Sequence, residues 1–531
     1  MIYQFFLSNV IGPFRMTIRI FAGITLCIGM VLSGCDGHDT HTGDHELEHE
    51  HGVVEFSISC NEEAQEEFLL GLAHLHHMMY SQARPHFEAS VQADKNCAMA
   101  HWGIAKTAFQ PLWAPSSDED MERGKEASER ALEIGAPTEK EQEFIEVVNV
   151  FFSDSDTPVT DRASDFEARI FTWMEASREL YETYSDDVDA AAFYALSEVA
   201  YAMTQFSPHQ ERDFTRERRA GELMEQFLED YPEHPGLFHY LIHAYDNSEL
   251  AHKADEVARQ YDQLAPDTPH ALHMPTHIFV RLGLWEDTAE WNERSAEAAL
   301  RNPFNGLTSL HYPHALDYVM YAYLQLEEYE KASETLDRVL AIEEGQPHFG
   351  TAYGIAAPQA RYFLEQQMWE EAAQLEPNYP EAIEWENYPG ATALFNYARG
   401  LGAARSGNLD QARYERDKIT EAVEVMRDAG NVYWSYMTEA LGKAIYAWVL
   451  YEEGETETAI TLMDEAAELE ESMDKHPITP GEVFPVRELH AEILLLEGQM
   501  EEARIAFEKS LERTPNRRNA QNGMEEAIAV N

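Results

Sequence analysis

Hydrophobic residues in this chain recur every three or four positions over most of its length. Near residue 70, Leu70 and Gly71 are followed by His74 and then by Ala83 and Phe87. Apolar positions at this spacing form one face of an amphipathic helix, whereas half-buried strands need strict alternation. Runs of alternating Val, Ile and Thr are nearly absent. The pattern therefore predicts helices joined by short turns.

The same two-helix pattern returns along the chain, with small residues where two helices would cross closely. Further copies contain Ala220, Met224, Phe227 and Pro232; Ala254, Ala258 and Pro266; Ala289 and Ala296; Ala332 and Leu336; Gly400 and Ala412; Ala459 and Ala466; and Ala503, Phe507 and Pro515. Each pair can bury its apolar stripe only against its neighbours. This spacing resembles that of the tetratricopeptide repeat family. The resemblance implies an all-α superhelical array, an α-solenoid of tetratricopeptide-like helix pairs.

Two short sequence segments contain residues that the general repeat pattern does not require. Residues 97–103 read Cys-Ala-Met-Ala-His-Trp-Gly, and residues 269–277 read Pro-His-Ala-Leu-His-Met-Pro-Thr-His. Both resemble phrases of exported bacterial tetratricopeptide lipoproteins of unestablished activity. That resemblance implies the fold but does not indicate an activity. An insertion with Pro111, Trp113 and Pro115 and an irregular stretch at 154–161 depart from the repeat.

The first residues have the order of a secretion signal. Arg15 and Arg19 precede an apolar run over 20–32, which is too short to span a bilayer stably. The run ends in Leu-Ser-Gly-Cys, which resembles the bacterial lipobox and implies that Cys35 becomes a lipidated N-terminus. We therefore expect residues 1–34 to be a signal peptide. We expect the mature chain to be exported and held by lipid alone in the cell envelope, on the periplasmic face of the inner or the outer membrane.

A tether should follow the anchor, over residues 35–55. Its acidic and Gly-rich segment cannot bury a core and carries five histidines, namely His38, His41, His45, His49 and His51. Such a tract is either a bland spacer or a site that captures Zn, Cu or Ni. Beyond it, the pattern divides into an N-terminal and central array over 56–345, with His-rich first helices, and a C-terminal array over 346–531.

The cysteines add one constraint. Cys27 would be lost with the signal and Cys35 modified, which leaves Cys60 and Cys97. Cys60 precedes one predicted helix and Cys97 follows its antiparallel partner, so both lie at the same end of the hairpin. Export permits a disulfide between them, and two buried thiols are the alternative.

The charge balance narrows the range of partners. The chain has 97 acidic and 38 basic residues, a formal charge of -59. Such a surface repels phosphate backbones, so we expect no nucleic-acid partner. A solvated surface explains most of this acidity, and an attraction for basic partners is the alternative.

Histidines are concentrated in the middle of the chain. His239 and His243 lie four apart on one first helix, His270, His273 and His277 follow on the next, and His311, His314 and Asp317 on the one after. Imidazoles one helical turn apart can chelate Zn, Fe, Cu or Ni. The metal hypothesis takes three ligands, namely His239, His243 and His277. Its further candidates are His273, His314 and Asp317.

Two other interpretations of these histidines stay open. They can bond to neighbouring tyrosines and carbonyls in a packing network without a ligand. They can also line the concave groove that first helices form in tetratricopeptide arrays and contact a peptide or an organic ligand there. That groove would be lined by the following side chains: His239, His243, His273, His314, Asp317 and Tyr321.

Standard catalytic motifs are missing from the sequence. It has no GxSxG, no phosphate-cradling glycine loop and no CxxC, and its HExxH match at residues 45–49 falls in the expected tether rather than on a predicted amphipathic helix. The leading hypothesis is therefore a membrane-anchored scaffold that binds a protein, a peptide or a small ligand in its groove, rather than an enzyme. The alternative is a metal-binding protein or metalloenzyme that uses the central histidines.

Overall fold

The computed structural model describes residues 51–113, 115–153, 162–205 and 212–529. The signal peptide, Cys35 and the tether as far as residue 50 lie outside this range, as does the irregular stretch at 154–161. The described residues belong to one compact unit.

Helices dominate the described part of the chain, and its only β-type pairings are two isolated bridges, Phe304 with Leu307 and Thr308 with Gly345. The all-α prediction is confirmed. The helices up to residue 301 are α1 (Glu62–His76), α2 (Tyr80–Ala93), α3 (Ala98–Thr107), α4 (Asp118–Ile134), α5 (Glu139–Phe152), α6 (Arg162–Thr183), α7 (Val188–Thr204), α8 (Thr215–Leu228), α9 (Pro235–Tyr245), α10 (Asp255–Ala258), α11 (Pro269–His273), α12 (Pro275–Leu282) and α13 (Trp285–Arg301).

The remaining helices continue the array to the C-terminus. They are α14 (His311–Gln325), α15 (Tyr329–Leu340), α16 (Phe349–Glu365), α17 (Trp369–Ala373), α18 (Pro389–Arg405), α19 (Leu409–Asp428), α20 (Val432–Glu452), α21 (Thr456–Glu471), α22 (Val486–Leu496), α23 (Met500–Arg513) and α24 (Arg518–Ala529). Short 3-10 helices lie at Ala251–Lys253, Tyr261–Gln263 and Trp385–Asn387.

Helix pairs pack in the way that the small-residue spacing predicts. A Cβ at Gly71 would lie 2.9 Å from the Phe87 ring, and one at Gly103 would lie 2.2 Å from it. Phe87 is fully buried between these two glycines, so it fills the space between α1 and α3. The absence of a side chain at both positions allows α1 and α3 to approach the aromatic ring of α2.

One predicted helix is broken. The copy with Ala254, Ala258 and Pro266 was expected to supply a full second helix, but residues 251–263 form two 3-10 turns around the four-residue α10. The Asn247 side chain stabilises the bend that precedes this segment. Its Oδ1 accepts a hydrogen bond from the main-chain N–H of Leu250, and its Nδ2 donates one to the Ala244 carbonyl. A side chain that bonds the local main chain competes with helix continuation.

The array is wound tightly enough that distant segments meet. The Val53 amide donates to the Glu233 carbonyl at 2.8 Å, and Trp285 Nε1 donates to the Asn516 carbonyl at 3.0 Å. Arg281 pairs with Asp474, 2.7 Å away. The first helices of the central repeats are therefore covered by other parts of the chain. Along these helices the described residues leave no open concave groove of the kind that the sequence predicts.

Cys60 and Cys97 form a disulfide in the structure. It joins the residues before α1 and before α3, so it closes the first helix pair. The end of the expected tether is also attached to the array. Phe56 is buried, and the His51 ring lies 4.4 Å from the His74 ring, centroid to centroid.

Candidate functional site

Three successive segments carry the central histidines into the interior. They are α9, the short helices α11 and α12, and α14. Pro235, Pro269 and Pro275 each occupy the first turn of their helix, where the missing N–H costs nothing and the fixed φ favours helix. Pro275 also separates α11 from α12, so His273 and His277 project from two short helices rather than from one long one.

His239, His243 and His270 form the first histidine set. Their ligand nitrogens lie within 4.8 Å of one another. The three residues are 0, 8 and 4% exposed. His239 donates its Nδ1 proton to the carbonyl of His76 at 2.6 Å, which leaves the Nε2 lone pair facing the set. The Nε2 atoms of His239 and His243 and both nitrogens of His270 are buried without a hydrogen-bond partner among the described residues.

The second histidine set consists of His273, His277 and His314, again with ligand nitrogens within 4.8 Å. His277 donates its Nδ1 proton to Asp246 Oδ2 at 2.8 Å. His273 Nδ1 lies 2.7 Å from Asn292 Oδ1. The Nε2 atoms of His273 and His277 face each other at 2.9 Å.

The two sets are neighbours. The rings of His243 and His277 are 6.0 Å apart between centroids, and those of His270 and His273 are 6.2 Å apart. The predicted trio of His239, His243 and His277 is thus divided differently in space. His270 lies one turn before His273 and completes the set on α9, whereas His277 joins His273 and His314.

Burial keeps these imidazoles in the form that binds metals. Burial lowers the pKa of His243 to about 3, and it lowers the pKa of His239, His270 and His273 well below the usual value. A neutral imidazole has a lone pair for a metal ion, whereas an imidazolium has none. At neutral pH each set therefore presents three uncharged nitrogen ligands.

A buried group of charged residues contacts the second set through His277. Asp246 accepts hydrogen bonds from His277 and from Arg281 Nε at 2.9 Å, and Lys475 Nζ lies 3.3 Å away. Burial alone would raise the pKa of Asp246, but Lys475 and Arg281 hold it well below its usual range. This carboxylate orients the His277 ring in the manner of outer-shell carboxylates in metal sites.

A third buried group lies beside the first set, and its His76 and Asp189 are hydrogen-bonded to each other, whereas neither ring nitrogen of its His234 has a hydrogen-bond partner among the described residues. His76 donates from Nε2 to Asp189 at 2.8 Å, and its Nδ1 accepts the Tyr240 hydroxyl at 3.1 Å. His234 Nε2 lies 3.5 Å from the same carboxylate. His76 and His77 are fully buried, because α9 packs onto α1 across a long sequence separation.

Asp317 and Tyr321 belong to a different part of the interior. Asp317 is fully buried and accepts a hydrogen bond from Arg361 Nε at 2.9 Å. The Tyr321 hydroxyl accepts from Arg517 Nη1 at 2.8 Å. Their assignment to a ligand-binding groove is therefore corrected. Both residues hold the central helices against arginines of the C-terminal half.

The sequence analysis named His270 among the clustered histidines but not as a ligand candidate, and it did not connect Trp113 with the histidines. The Trp113 ring, from the Pro-rich insertion, lies 5.5 Å from the His270 ring and 6.1 Å from the His311 ring. The insertion therefore covers one side of the first set. In the sequence, two features could have indicated that the insertion contacts the histidines, namely its departure from the repeat and its Trp residue.

An open cleft lies between α1, α2 and the segments around residues 268 and 303. Its volume is about 560 Å³, and its lining includes His51, His74, His86, Asp267 and Asn302. His74 stacks on His86 with centroids 5.4 Å apart. This cleft is the accessible concave surface that a small ligand or a peptide side chain could enter. As for a membrane crossing, the helices of the described residues include none with the length and apolar character that it needs.

Comparisons with known proteins support the repeat architecture. A family model described as "Tetratricopeptide repeat" matches residues 486–517, which contain α22 and α23. This is the pair that the sequence marked with Ala503, Phe507 and Pro515. No curated protein matches the chain.

Several solved structures are similar to the chain, among them the following three. Yeast Tom70 has 13% identity and a TM-score of 0.38 over 88% of this chain and 95% of that chain. IFIT1, as a monomeric mutant with m7Gppp-AAAA, has 12% identity and a TM-score of 0.36 over 92% and 100%. The APC/C hetero-tetramer Cut9-Hcn1 has 10% identity and a TM-score of 0.31 over 88% and 90%.

Proposed function

We propose that this chain is a metal-binding protein that holds a transition-metal ion with His239, His243 and His270. One observation supports this above all. Three buried imidazoles offer ligand nitrogens within 4.8 Å of one another, and each ring has at least one nitrogen without a hydrogen-bond partner among the described residues. A buried polar atom without a partner costs about 1–3 kcal/mol. A metal ion would satisfy several of these atoms at once.

The surroundings of His239 fit this role. Metal-bound histidines usually donate their second ring N–H to a carbonyl or a carboxylate, which fixes the tautomer. His239 does so to the His76 carbonyl. A packing network, the competing interpretation, would leave few nitrogens unpartnered, since buried polar groups normally find partners. His76 shows what such a network looks like, because both of its ring nitrogens are bonded.

Metal analysis of the purified protein tests this proposal. The protein is incubated with Zn²⁺, Cu²⁺ or Ni²⁺, desalted and assayed for bound metal by plasma mass spectrometry. The wild type should retain at least one equivalent of one of these metals. His239→Leu with His243→Leu should lose it, while His252→Leu, an exposed histidine on the same chain, should not.

A deletion of residues 36–50 distinguishes the interior site from the His-rich N-terminal tract. Metal retained by the deletion protein and lost from the His239→Leu, His243→Leu variant supports the proposal. Metal lost with the deletion alone assigns binding to the tract and refutes the interior site. Circular dichroism of each variant checks that the helices remain.

The lipid anchor belongs to the same proposal. Residues 32–35 resemble a lipobox, so Cys35 would carry lipid and hold the metal-binding array at the envelope surface. Labelling with a clickable palmitate analogue should mark the wild type expressed in a bacterial host. Cys35→Ser should be unlabelled and released into the soluble fraction. Labelling that persists in Cys35→Ser would refute the anchor.

A second function, binding of a protein, a peptide or a small ligand, is favoured by the open cleft beside α1 and α2. The cleft holds His51, His74 and His86 next to Asp267, and the chain carries a net charge of -59, so basic segments are the expected partners. A fluorescent library of short basic peptides should bind the wild type and bind less well to His86→Ala with Asp267→Ala. Equal binding by both proteins would refute the cleft as the site.

A further inference from the structure

We infer that His273, His277 and His314 hold a second ion next to the first, and that the two ions are copper. This inference rests on the proposed function, because it adds a neighbour to the site already described. It is carried by the geometry of the second set, by its position against the first, and by the charges around both.

The hydrogen bonds of His273 and His277 leave their Nε2 atoms without a partner of the right kind. Asn292 donates from Nδ2 to the Thr288 carbonyl, so its Oδ1 must accept from His273 Nδ1. Asp246 accepts in the same way from His277 Nδ1. Two neutral rings fixed in this way direct lone pairs at each other across 2.9 Å. An ion bonded to both nitrogens, off the line that joins them, would replace this repulsion with two bonds.

The 2.9 Å separation also fits a shared ion. With metal–nitrogen bonds of about 2.0–2.1 Å, two nitrogens at that separation subtend an angle of about 90° at the metal. His314 Nδ1 is buried without a partner among the described residues and supplies a third nitrogen. The second set thus offers three ligand nitrogens within 4.8 Å of one another, as the first set does.

Each set lies in direct contact with the other. His243 and His277 connect them on one side, and His270 and His273 on the other, at ring distances of 6.0 and 6.2 Å. The first set comes from α9 and α11, and the second comes from α11, α12 and α14, so α11 contributes a histidine to each. Two ions bound here would be close neighbours in the buried interior.

The charges favour copper. Neither set contains a carboxylate or a thiolate. The nearest buried charges, Asp246 and Asp474 against Arg281 and Lys475, balance among themselves. Two divalent ions would bring four buried positive charges with no compensation, which is costly in an apolar interior. Cuprous ions bring half that charge, and among divalent ions Cu²⁺ binds nitrogen ligands most strongly.

Anaerobic titration of the metal-free full-length protein with Cu⁺, in competition with a coloured Cu⁺ chelator, tests the pair. The wild type should withdraw two equivalents. His314→Leu should withdraw one, His243→Leu should withdraw one, and His252→Leu should withdraw two. Because His314 Nδ1 and His243 Nε2 have no hydrogen-bond partner to lose, both variants should keep their helical content, which circular dichroism measures.

The outcomes separate this inference from the proposed function. One equivalent in the wild type, lost in His243→Leu and retained in His314→Leu, would overturn the pair and leave the first site standing. No metal of any kind would overturn both. After air oxidation of the loaded wild type, the electron paramagnetic resonance signal should be broadened or quenched relative to His314→Leu, because two Cu²⁺ ions interact. Retention of two Zn²⁺ in the presence of equimolar copper would overturn the choice of metal.

Discussion

His239 Nδ1 lies 2.6 Å from the carbonyl oxygen of His76, so the last turn of α1 fixes the orientation of a ring on α9. The two residues are 163 positions apart in the sequence. Because of this bond, the proton of His239 lies on Nδ1, next to the His76 carbonyl, and the lone pair of Nε2 stays free for a ligand. The first helix pair therefore acts as an outer support of the central histidines.

Replacement of His270 by Leu should have opposite effects on the metal-free and the metal-loaded protein. Both ring nitrogens of His270 are buried and have no hydrogen-bond partner among the described residues, so an apolar side chain should raise the free energy of unfolding of the metal-free protein by about 1–3 kcal/mol. With metal present the variant should lose the extra stability that binding gives to the wild type. Urea denaturation with and without added metal measures both. A metal-free variant less stable than the wild type would show that His270 serves packing alone.

Asp246→Asn should weaken the second histidine set and the fold together. The amide can still accept from His277, but Arg281 and Lys475 lose a buried countercharge. Breaking a buried ion pair costs about 3–5 kcal/mol, and loss of an outer-shell carboxylate lowers metal affinity about 10–100-fold. Competition titration and urea denaturation give the two quantities.

Asp262→Asn is the matched control for Asp246→Asn. Asp262 pairs with Arg294 at the surface, 2.9 Å away. Its replacement should change the free energy of unfolding by about 1 kcal/mol or less. If the two variants behaved alike, the buried ionic group would have no special role.

Reduction of the Cys60–Cys97 disulfide should destabilise the chain. The two cysteines are separated by 37 positions in the sequence. For a loop of that length, the loss of chain entropy in the unfolded state stabilises the folded state by about 4 kcal/mol. The denaturation midpoint should fall in the presence of dithiothreitol. Cys60→Ser with Cys97→Ser should start at the lower midpoint and show no response to the reductant. A response of the double variant would assign the effect to something other than this bond.

Lys106 should make stability depend on pH. It is buried, its Nζ lies 4.4 Å from the Phe193 ring centroid, and burial lowers its pKa from the usual value to about 7. Between pH 7 and about pH 10.4 the unfolded chain binds this proton and the folded chain does not. Stability must therefore rise with pH in that window, by up to about 1.4 kcal/mol per pH unit from this group.

Lys106→Met removes that contribution. Urea denaturation at pH 7, 8 and 9 should show a steeper rise for the wild type than for the variant, since the other titrating groups are common to both. Near pH 7 and below, the variant should be the more stable protein. Parallel pH dependences would mean that Lys106 keeps its ordinary pKa in the folded state.

The sequence predicted the helix pairs because their signal is local. Gly71, Ala83 and Phe87 encode a close helix crossing within one pair, and the structure confirms the contact of Gly71 with Phe87. The histidine sets depend on contacts between pairs. Which ring joins which set is decided by Pro275, which separates α11 from α12, and by the packing of α9 onto α1, and neither follows from spacing on an ideal repeat.

The tight winding of the array could not be predicted from the spacing of residues within single helix pairs either. Asp317 and Tyr321 fall at positions that face an open groove in a regular array. Here Arg361 and Arg517 fill that space with buried ion pairs and hydrogen bonds. Their partners lie up to 196 residues away in the sequence, so periodicity alone carries no trace of them.

X-ray absorption at the edge of the bound metal tests the central claim most directly. An ion held by the histidine sets should show three or more nitrogen neighbours at about 2.0–2.1 Å, with the outer-shell scattering that imidazole rings produce. The signal should weaken in proportion to the metal lost from His239→Leu with His243→Leu. A first shell of oxygen without imidazole scattering, or with sulfur at about 2.3 Å, would contradict a histidine metal site.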